Sequence, residues 1–161
     1  NETLDLALSN PTGGAGLGSP ASAVLTIAED DPVPSAGSLQ FSAPTYAVNE
    51  DGSAESITVT RVNGSFGTVT VDYASSDDTA SAGSDYTAVS DTLTFTHGVT
   101  SQSFTINITN DAIYEGDETV NLALINTTGG AGLGSPASAV LTIAEDDPVP
   151  PAGSLQYSAA T

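Results

Sequence analysis

The sequence predicts an all-β protein made of antiparallel β-sandwich domains in a tandem array. Apolar residues alternate with polar ones in short runs, and turn sequences rich in Gly, Asn and Pro separate these runs. No stretch keeps apolar residues at a sustained helical spacing. A long segment at the start of the chain also occurs again at its end, as expected of a repeated domain. About seven strands in about 110 residues are typical of a two-sheet sandwich.

The predicted strands follow one another with clear turn signals between them. We expect "VNGSFG" and "THGVTS" to be hairpin connections, because Asn and Gly favour the tight turns that join antiparallel neighbours. The glycine-rich "TTGGAGLGSP" is predicted to be the loop between the last two strands. The alternating apolar residues are, in chain order, Ile57 and Val59, then Val69, Val71 and Tyr73, then Leu93 and Phe95, then Phe104, Ile106 and Ile108, then Val120, Leu122 and Leu124, then Leu141 and Ile143.

The internal repeat sets the predicted domain boundaries. Residues 1–45 align without a gap with residues 117–161; eight of the 45 pairs differ, which leaves 37 identical. Each position pairs with the one 116 residues later, a period the size of one domain. The expected organisation is the C-terminal part of a preceding repeat (1–31), a linker (32–36), a complete repeat (37–147), a second linker (148–152) and the start of a following repeat (153–161).

The first of these segments contains only two predicted strands. An isolated two-stranded hairpin is marginally stable in water. We therefore expect it to pair with further strands, either from more sequence of the same protein or from a neighbouring chain that completes the sandwich by strand addition.

The charge balance excludes several classes of partner. The chain has 20 Asp and Glu residues against one Arg and no Lys, for a net charge of −19. Such a surface repels nucleic acids and anionic membranes, which are bound through Lys and Arg, and it attracts cations. No catalytic constellation is visible: there is no G-x-S-x-G, a single His (His97) and no Trp. We therefore expect no enzyme activity.

The carboxylates are concentrated in turn sequences. Two interpretations are open on composition alone. The runs are either solvated acidic turns, since Asp is a common turn residue, or groups that converge at one end of the sandwich. Converged carboxylates repel one another, and a divalent cation relieves this. Calcium accepts six to eight oxygen ligands, whereas the absence of Cys and the single His disfavour zinc and copper.

Three motifs, in order, are similar to one known family. They are "DDTASAGSDYTAVSDTLTF", "ITNDAIYEGDETVNLAL" and "ASAVLTIAEDD", and they follow "YAVNEDGSAESITVTRV" at the start of the copy. Together they resemble the Calx-beta domain, a calcium-binding sandwich found in sodium/calcium exchangers, an integrin beta subunit and many large bacterial surface proteins. The resemblance covers the whole copy. It implies a seven-stranded immunoglobulin-like sandwich that binds Ca²⁺ at one end, in tandem repeats of a large bacterial surface protein.

The resemblance also implies a set of metal ligands. The sequence departs from the family pattern where Asn110, Asp111 and Ala112 stand in place of Asp-Asp-Asp, and where the final acidic run begins with Glu rather than Asp. These departures predict fewer sites or weaker binding than in regulatory exchanger domains. The implied ligands are Glu50, Asp85, Asp111, Glu115, Glu118, Glu145, Asp146 and Asp147.

The function we expect is that of a calcium-binding structural repeat in an extracellular or cell-surface array, such as a stalk, fibre or adhesin shaft. The acidic triplet at 145–147 is followed at once by a proline-containing junction, so Ca²⁺ there would fix the angle between repeats. The expected partners are neighbouring repeats of the same chain and other copies of it in a filament, with no nucleic acid and no membrane insertion. The alternatives are a regulatory calcium sensor within a larger membrane protein and a binding module for carbohydrate or protein ligands.

Overall fold

A computed structural model describes residues 1–153 of the chain. The predicted start of a following repeat lies outside the described residues, apart from Gly153. The chain forms two compact units: the first is Asn1–Val33, and the second begins at Pro34. Within the described part, no helix has the length and apolar character needed to cross a bilayer.

The first unit is a single β-hairpin. Strands β1 (Glu2–Ala7) and β2 (Ser22–Ile27) pair antiparallel, from Glu2 opposite Ile27 to Ala7 opposite Ser22. Every residue of both strands is solvent-exposed.

The second unit is a sandwich of two sheets, which confirms the predicted all-β sandwich. One sheet has the strand order β10-β3-β5-β8 and the other β4-β11-β9-β6-β7. The unit has nine strands, compared with the seven expected. The first strand of the sandwich is divided into β3 and β4, which lie in different sheets, and β10 is a two-residue strand that pairs with β3 at the edge of its sheet. The strands are β3 (Ser38–Phe41), β4 (Thr45–Asn49), β5 (Ala54–Val62), β6 (Val69–Asp77), β7 (Ser90–Phe95), β8 (Ser101–Asn107), β9 (Glu118–Ile125), β10 (Gly132–Leu133) and β11 (Ser138–Ala144).

Alternating side chains of both sheets form one core, as the period-2 pattern predicts. Ile57 and Val59 of β5 are fully buried, and so is Leu141 of β11. The rings of Tyr73 and Phe104 stack with centroids 3.9 Å apart. Burying this apolar surface is the main favourable contribution to folding.

The two predicted hairpin connections are wrong. Strand β5 is paired on both edges, with β3 and β8, while β6 lies in the other sheet between β7 and β9, so "VNGSFG" crosses between the sheets. "THGVTS" likewise joins β7 of one sheet to β8 of the other. Turn residues predict that the chain reverses direction sharply. They do not predict which strand the next segment pairs with, because that depends on which sheet edge is free.

The first crossing is held by the chain's one cationic side chain. The guanidinium of Arg61 donates through Nε to the carbonyl of Ala36 (2.7 Å), through Nη1 to that of Gly67 (3.0 Å) and through Nη2 to that of Phe66 (2.6 Å). The side chain is buried, and its donors are largely used by carbonyl oxygens that no strand partner satisfies. The only Arg or Lys of the sequence is therefore occupied at this crossing.

Candidate metal centre

The sheet topology brings three strand ends together at one end of the sandwich. Strands β4 and β11 run parallel and end side by side, with Asn49 opposite Ala144. Glu50 and Glu145 directly follow these two ends. Strand β9 runs antiparallel to β11 and begins here, with Glu118 opposite Ile143. Three carboxylates from distant parts of the sequence therefore meet because of the strand register.

Glu50, Glu145 and Asp147 form the first carboxylate group, which we call the inner triad. One oxygen from each lies within 4.8 Å of the others. Glu50, the first residue of a short 3₁₀ turn after β4, is 9% exposed, and the other two are half-buried.

Glu145 is the fixed member of the inner triad. Its Oε2 accepts from the backbone N–H groups of Glu115 (2.6 Å) and Gly116 (2.8 Å), and its Oε1 accepts from that of Asp147 (2.8 Å). These bonds to the ionised form lower the pKa of Glu145. The carboxylate thus ties the 110–118 loop to the end of β11.

The other two members carry charge that the protein does not neutralise. Oε1 of Glu50 accepts from the N–H of Asp111 (3.0 Å), which alone would lower its pKa, but burial and the charges of Glu145, Asp111 and Asp147 together raise it. Burial, followed by the charge of Glu145, raises the pKa of Asp147. Oδ2 of Asp147 is buried and accepts no hydrogen bond. A buried, partnerless carboxylate oxygen is costly unless a cation binds it.

Asp85, Glu115 and Glu118 form the second group, the outer triad, again with oxygens within 4.8 Å of one another. Oδ2 of Asp85 accepts from the N–H of Ser81 (2.7 Å), which fixes it within the loop after β6. Burial, and then the charge of Asp85 and a hydrogen bond with it, raise the pKa of Glu118 to about 7. Burial and the charge of Asp85 also raise the pKa of Glu115.

Five of the six triad carboxylates, all except Asp147, line one small cavity. Its volume is about 10 Å³, close to that of a single water-sized sphere. No Lys or Arg is free to neutralise it, since Arg61 is the only such residue and is bound to carbonyls elsewhere. The arrangement fits a hard divalent cation with oxygen ligands. The residues lining it are Glu50, Asp85, Glu115, Gly116, Glu118, Ile143 and Glu145.

Of the eight predicted ligands, six lie in the two triads and two do not. Asp111 is exposed, and its Oδ1 accepts from the N–H of Ile113 (2.7 Å), but its charge still contributes to the raised pKa values of Glu50, Glu115 and Asp147. Asp146 is exposed and belongs to neither triad.

Two acidic residues outside the predicted set support the site. Oδ1 of Asp117 accepts from the N–H of Glu145 (3.1 Å) and so helps to position it. Oδ1 of Asp77 accepts from the N–H of Ala82 (2.9 Å) and from the hydroxyl of the buried Tyr86 (2.8 Å), which holds the loop that carries Asp85. The only sequence signal for this supporting role is that both residues lie in the same acidic motifs as the predicted ligands.

Comparison with known proteins places this site within a family. Residues 34–147 match the family model of the Calx-beta domain, which is more than half of the chain. The chain belongs to the Calx-beta family. The carboxylates of both triads lie within the matched Calx-beta region.

Relatives of this Calx-beta chain include much larger proteins. Extracellular matrix protein 3 of Lytechinus variegatus is 37% identical over 151 residues, which cover 89% of this chain and 5% of that protein. Sodium/calcium exchanger 1 of Canis lupus familiaris is 33% identical over 139 residues, which cover 75% of this chain and 14% of that protein. The chain therefore spans only a small part of each relative.

A solved structure supports the same fold assignment. The crystal structure of calcium binding domain CBD12 of CALX1.1 superposes with a TM-score of 0.65 and 32% sequence identity, over 68% of this chain and 44% of that one. The sequence identity to this structure is high enough to support common ancestry, as well as a common fold, for the Calx-beta sandwich of the second unit.

Proposed function

We propose that this Calx-beta chain is a calcium-binding structural repeat of an extracellular tandem-array protein. The observation that carries the proposal is the pair of carboxylate triads at one end of the sandwich, including the buried, partnerless Oδ2 of Asp147. The carboxylates of such a group repel one another unless a cation is bound. The calcium binding named for the solved relative supports the choice of ion.

The proposed ligands divide between the two triads. Glu50, Glu145 and Asp147 provide one set of oxygens, and Asp85, Glu115 and Glu118 the other. Ca²⁺ suits carboxylates that arrive from separate loops, because it accepts six to eight oxygens in flexible geometry, whereas Mg²⁺ demands a near-ideal octahedron and keeps its water. In this proposal Asp111 contributes charge, and Asp146 lies outside the site.

Calcium would act as a cross-link. The ligands lie just after β4, in the loop after β6, around the start of β9 and just after β11. One ion or two would therefore join segments that are distant in sequence. Asp147 directly precedes Pro148, the start of the predicted junction. We propose that ion binding stiffens this junction, with neighbouring repeats of the same protein as the partners. The extracellular matrix relative supports an extracellular location.

The test is calcium-dependent thermal unfolding of the whole chain. A ligand that binds only the folded state adds about 2.7 kcal/mol at a hundredfold excess over its Kd, so the Tm of the second unit should rise by several degrees in millimolar Ca²⁺ compared with chelator, and less in Mg²⁺. Asp147→Asn should remove most of the shift. Glu55→Gln, which changes an acid on β5 outside both triads, is the matched control and should keep it. An unchanged Tm in Ca²⁺ would exclude the proposed site.

A regulatory calcium sensor is the second candidate function, and the similarity to sodium/calcium exchanger 1 favours it. The two roles differ in the calcium concentration at which the site fills. By analogy with EF-hand sites, a cytosolic sensor works at a Kd of about 10⁻⁷–10⁻⁵ M, whereas extracellular modules work at about 10⁻⁴–10⁻³ M. Calorimetric titration of the whole chain therefore separates them, and sub-micromolar binding would favour the sensor.

A further inference from the structure

Among the described residues, the sandwich of the second unit has four edge strands. They are β10 and β8 in one sheet and β4 and β7 in the other. An edge strand presents unpaired backbone N–H and C=O groups to any strand of another chain, so proteins shorten, charge or cover their edges. Strand β10 is only two residues long, and β4 leads directly into the acidic Glu50. Strands β7 and β8 are longer, and only one of them is protected.

Side chains cover the free edge of β7. The alternation of bonded and unbonded pairs in the β6–β7 ladder turns the backbone groups of Thr92 and Thr94 away from β6. The N–H of Thr92 donates to Oδ1 of Asp91 (2.7 Å), and the C=O of Thr94 accepts from Nε2 of Gln102 (3.1 Å). A carboxylate and an amide therefore occupy the groups that an added strand would need.

The backbone groups of β8 that face away from β5 follow from the bonds at the two ends of their ladder. The N–H of Arg61 donates to the C=O of Thr100 (2.8 Å), and the N–H of Ile108 donates to that of Ser53 (2.9 Å). The register between these bonds is continuous. Because bonded and unbonded pairs alternate in an antiparallel ladder, every second residue of β8 turns its backbone groups outwards. These residues are Ser101, Ser103, Thr105 and Asn107.

Most of this edge of β8 is open. The C=O of Asn107 accepts from the N–H of Thr87 (2.9 Å), which covers the end of the strand. In the part of the chain that the structure describes, no strand pairs with the outward groups of Ser101, Ser103 and Thr105. The strand has no charged residue and no Pro to discourage pairing. Alternate side chains of β8 lie in the core, so the strand is held extended.

The charges of the second unit favour a second copy in antiparallel orientation as the partner. One end of the sandwich carries both triads, whereas the loops at the other end have no Asp or Glu and contain the single His of the chain. These loops are 63–68, 96–100 and 127–137. Strand β8 runs towards the acidic end, where Asn107 pairs with Ala54 at the start of β5. Two antiparallel β8 strands would therefore place each acidic end beside an acid-free end.

We propose that the open edge of β8 is a self-association surface, on which β8 of a second copy of this repeat pairs antiparallel by strand addition. A two-fold axis at Ser103 places Ser103 opposite its own counterpart and Ser101 opposite Thr105, so that the outward groups of the two copies bond to one another. This register leaves Asn107, which is already bonded, outside the new ladder. The two four-stranded sheets would join into one. None of these residues belongs to either triad, so the association is independent of the proposed calcium site.

The test is the mass of the full chain in solution, measured by sedimentation equilibrium in chelator at increasing protein concentration. The mass should rise from that of one chain towards that of two. Ser103→Pro removes the N–H at the centre of the proposed ladder and should abolish this rise, while Pro is compatible with an edge strand whose N–H faces solvent. Ser103→Ala keeps the N–H and is the matched control, so it should associate as the unaltered chain does.

Ser103→Asp provides a second disruption, and it serves where Ser103→Pro fails to fold. It places two like charges directly opposite each other across the axis, which should also abolish the rise in mass. Circular dichroism and the Tm of each variant show that the sandwich is retained. A chain that stays monomeric at every concentration would overturn the proposal. Equal association of Ser103→Asp, Ser103→Pro and Ser103→Ala would overturn it as well, because the contact would then lie elsewhere on the molecule.

Discussion

The two copies of the hairpin separate what local sequence determines from what surroundings determine. Residues 1–31 and 117–147 share their strands, their register and the left-handed Asn after the first strand. They differ in burial, since both strands of the first copy are fully exposed and the second copy provides core residues from both strands. The two copies therefore share their strand register, whereas the burial of the second copy depends on the sheets around it.

The same contrast applies to the acidic triplet that ends each copy. Glu29, Asp30 and Asp31 form an exposed group of their own, while Glu145 and Asp147 join Glu50, which comes from β4. Exposed acidic groups are well solvated and need no ion, whereas the second copy contains a buried oxygen without a partner. The proposed metal site thus depends on neighbouring strands more than on the triplet.

The largest expected effect tests burial at matched positions. Leu141→Ala leaves a cavity in a fully buried site and should lower the free energy of unfolding of the second unit by about 2–5 kcal/mol. Leu25→Ala removes the same atoms from an exposed site and should change it by no more than about 0.5 kcal/mol. Urea unfolding of the whole chain, followed by tyrosine fluorescence and circular dichroism, measures both. Equal effects would mean that the two hairpins have similar surroundings.

The sandwich and its core could be predicted from the sequence because period-2 alternation directly reports which side chains face inward. The crossings after β5 and β7 could not, because the turn residues there do not specify which sheet has a free edge. The short strands β3, β4 and β10 carry too few residues for a clear alternation.

The candidate site was predictable to a similar degree. Motif resemblance predicted eight ligands, of which six converge in the two triads, while Asp111 and Asp146 lie outside both groups. Alternation continued past the end of β11 would have placed Glu145 and Asp147 on one side and Asp146 on the other. The supporting role of Asp117 depends on a backbone contact between segments 28 residues apart, which no local pattern reports.

The next effect compares the first acids of the two triplets. Glu145→Gln weakens three bonds from backbone N–H groups and removes a proposed ligand, so the Tm of the second unit should fall by several degrees, with a larger fall in Ca²⁺ than in chelator. Glu29 accepts one backbone bond in the exposed triplet, from Asp31 (3.2 Å). Glu29→Gln should therefore leave the Tm unchanged, and calorimetry in both conditions checks the pair.

A third prediction concerns pH and has opposite signs with and without calcium. The pKa of Glu118 is raised from 4.5 to about 7 in the folded state, so its bound proton stabilises the fold. This contribution is full below about pH 4.5 and is lost as the pH rises through about 7. In chelator, the ionisation of Glu118 should therefore lower the Tm of the second unit by a few degrees as the pH rises from 5 to 7.5.

Glu118→Gln tests the assignment of this slope, because it removes the titrating group and should flatten the profile in chelator. In excess Ca²⁺ the stabilisation by the ion should instead grow over the same range, since protons compete with Ca²⁺ for Glu50, Glu115, Glu118 and Asp147, all of which have raised pKa values. Glu2→Gln, at the matched position of the exposed hairpin, should leave both profiles unchanged. Parallel profiles with and without Ca²⁺ would contradict the proposed ligands.

The smallest expected effect concerns a difference between the copies that points to solvent. Asn121 is exposed on β9, and its counterpart is Asp5. Asn121→Asp should change the free energy of unfolding by less than about 0.5 kcal/mol, because surface substitutions away from special features have small effects. Urea unfolding in chelator measures it, with Asp5→Asn as the reciprocal change. A larger loss would mean that a negative charge at position 121 is repelled by the nearby Asp77 and Asp78. The neutral Asn121 would then reduce charge repulsion in the buried copy of the hairpin.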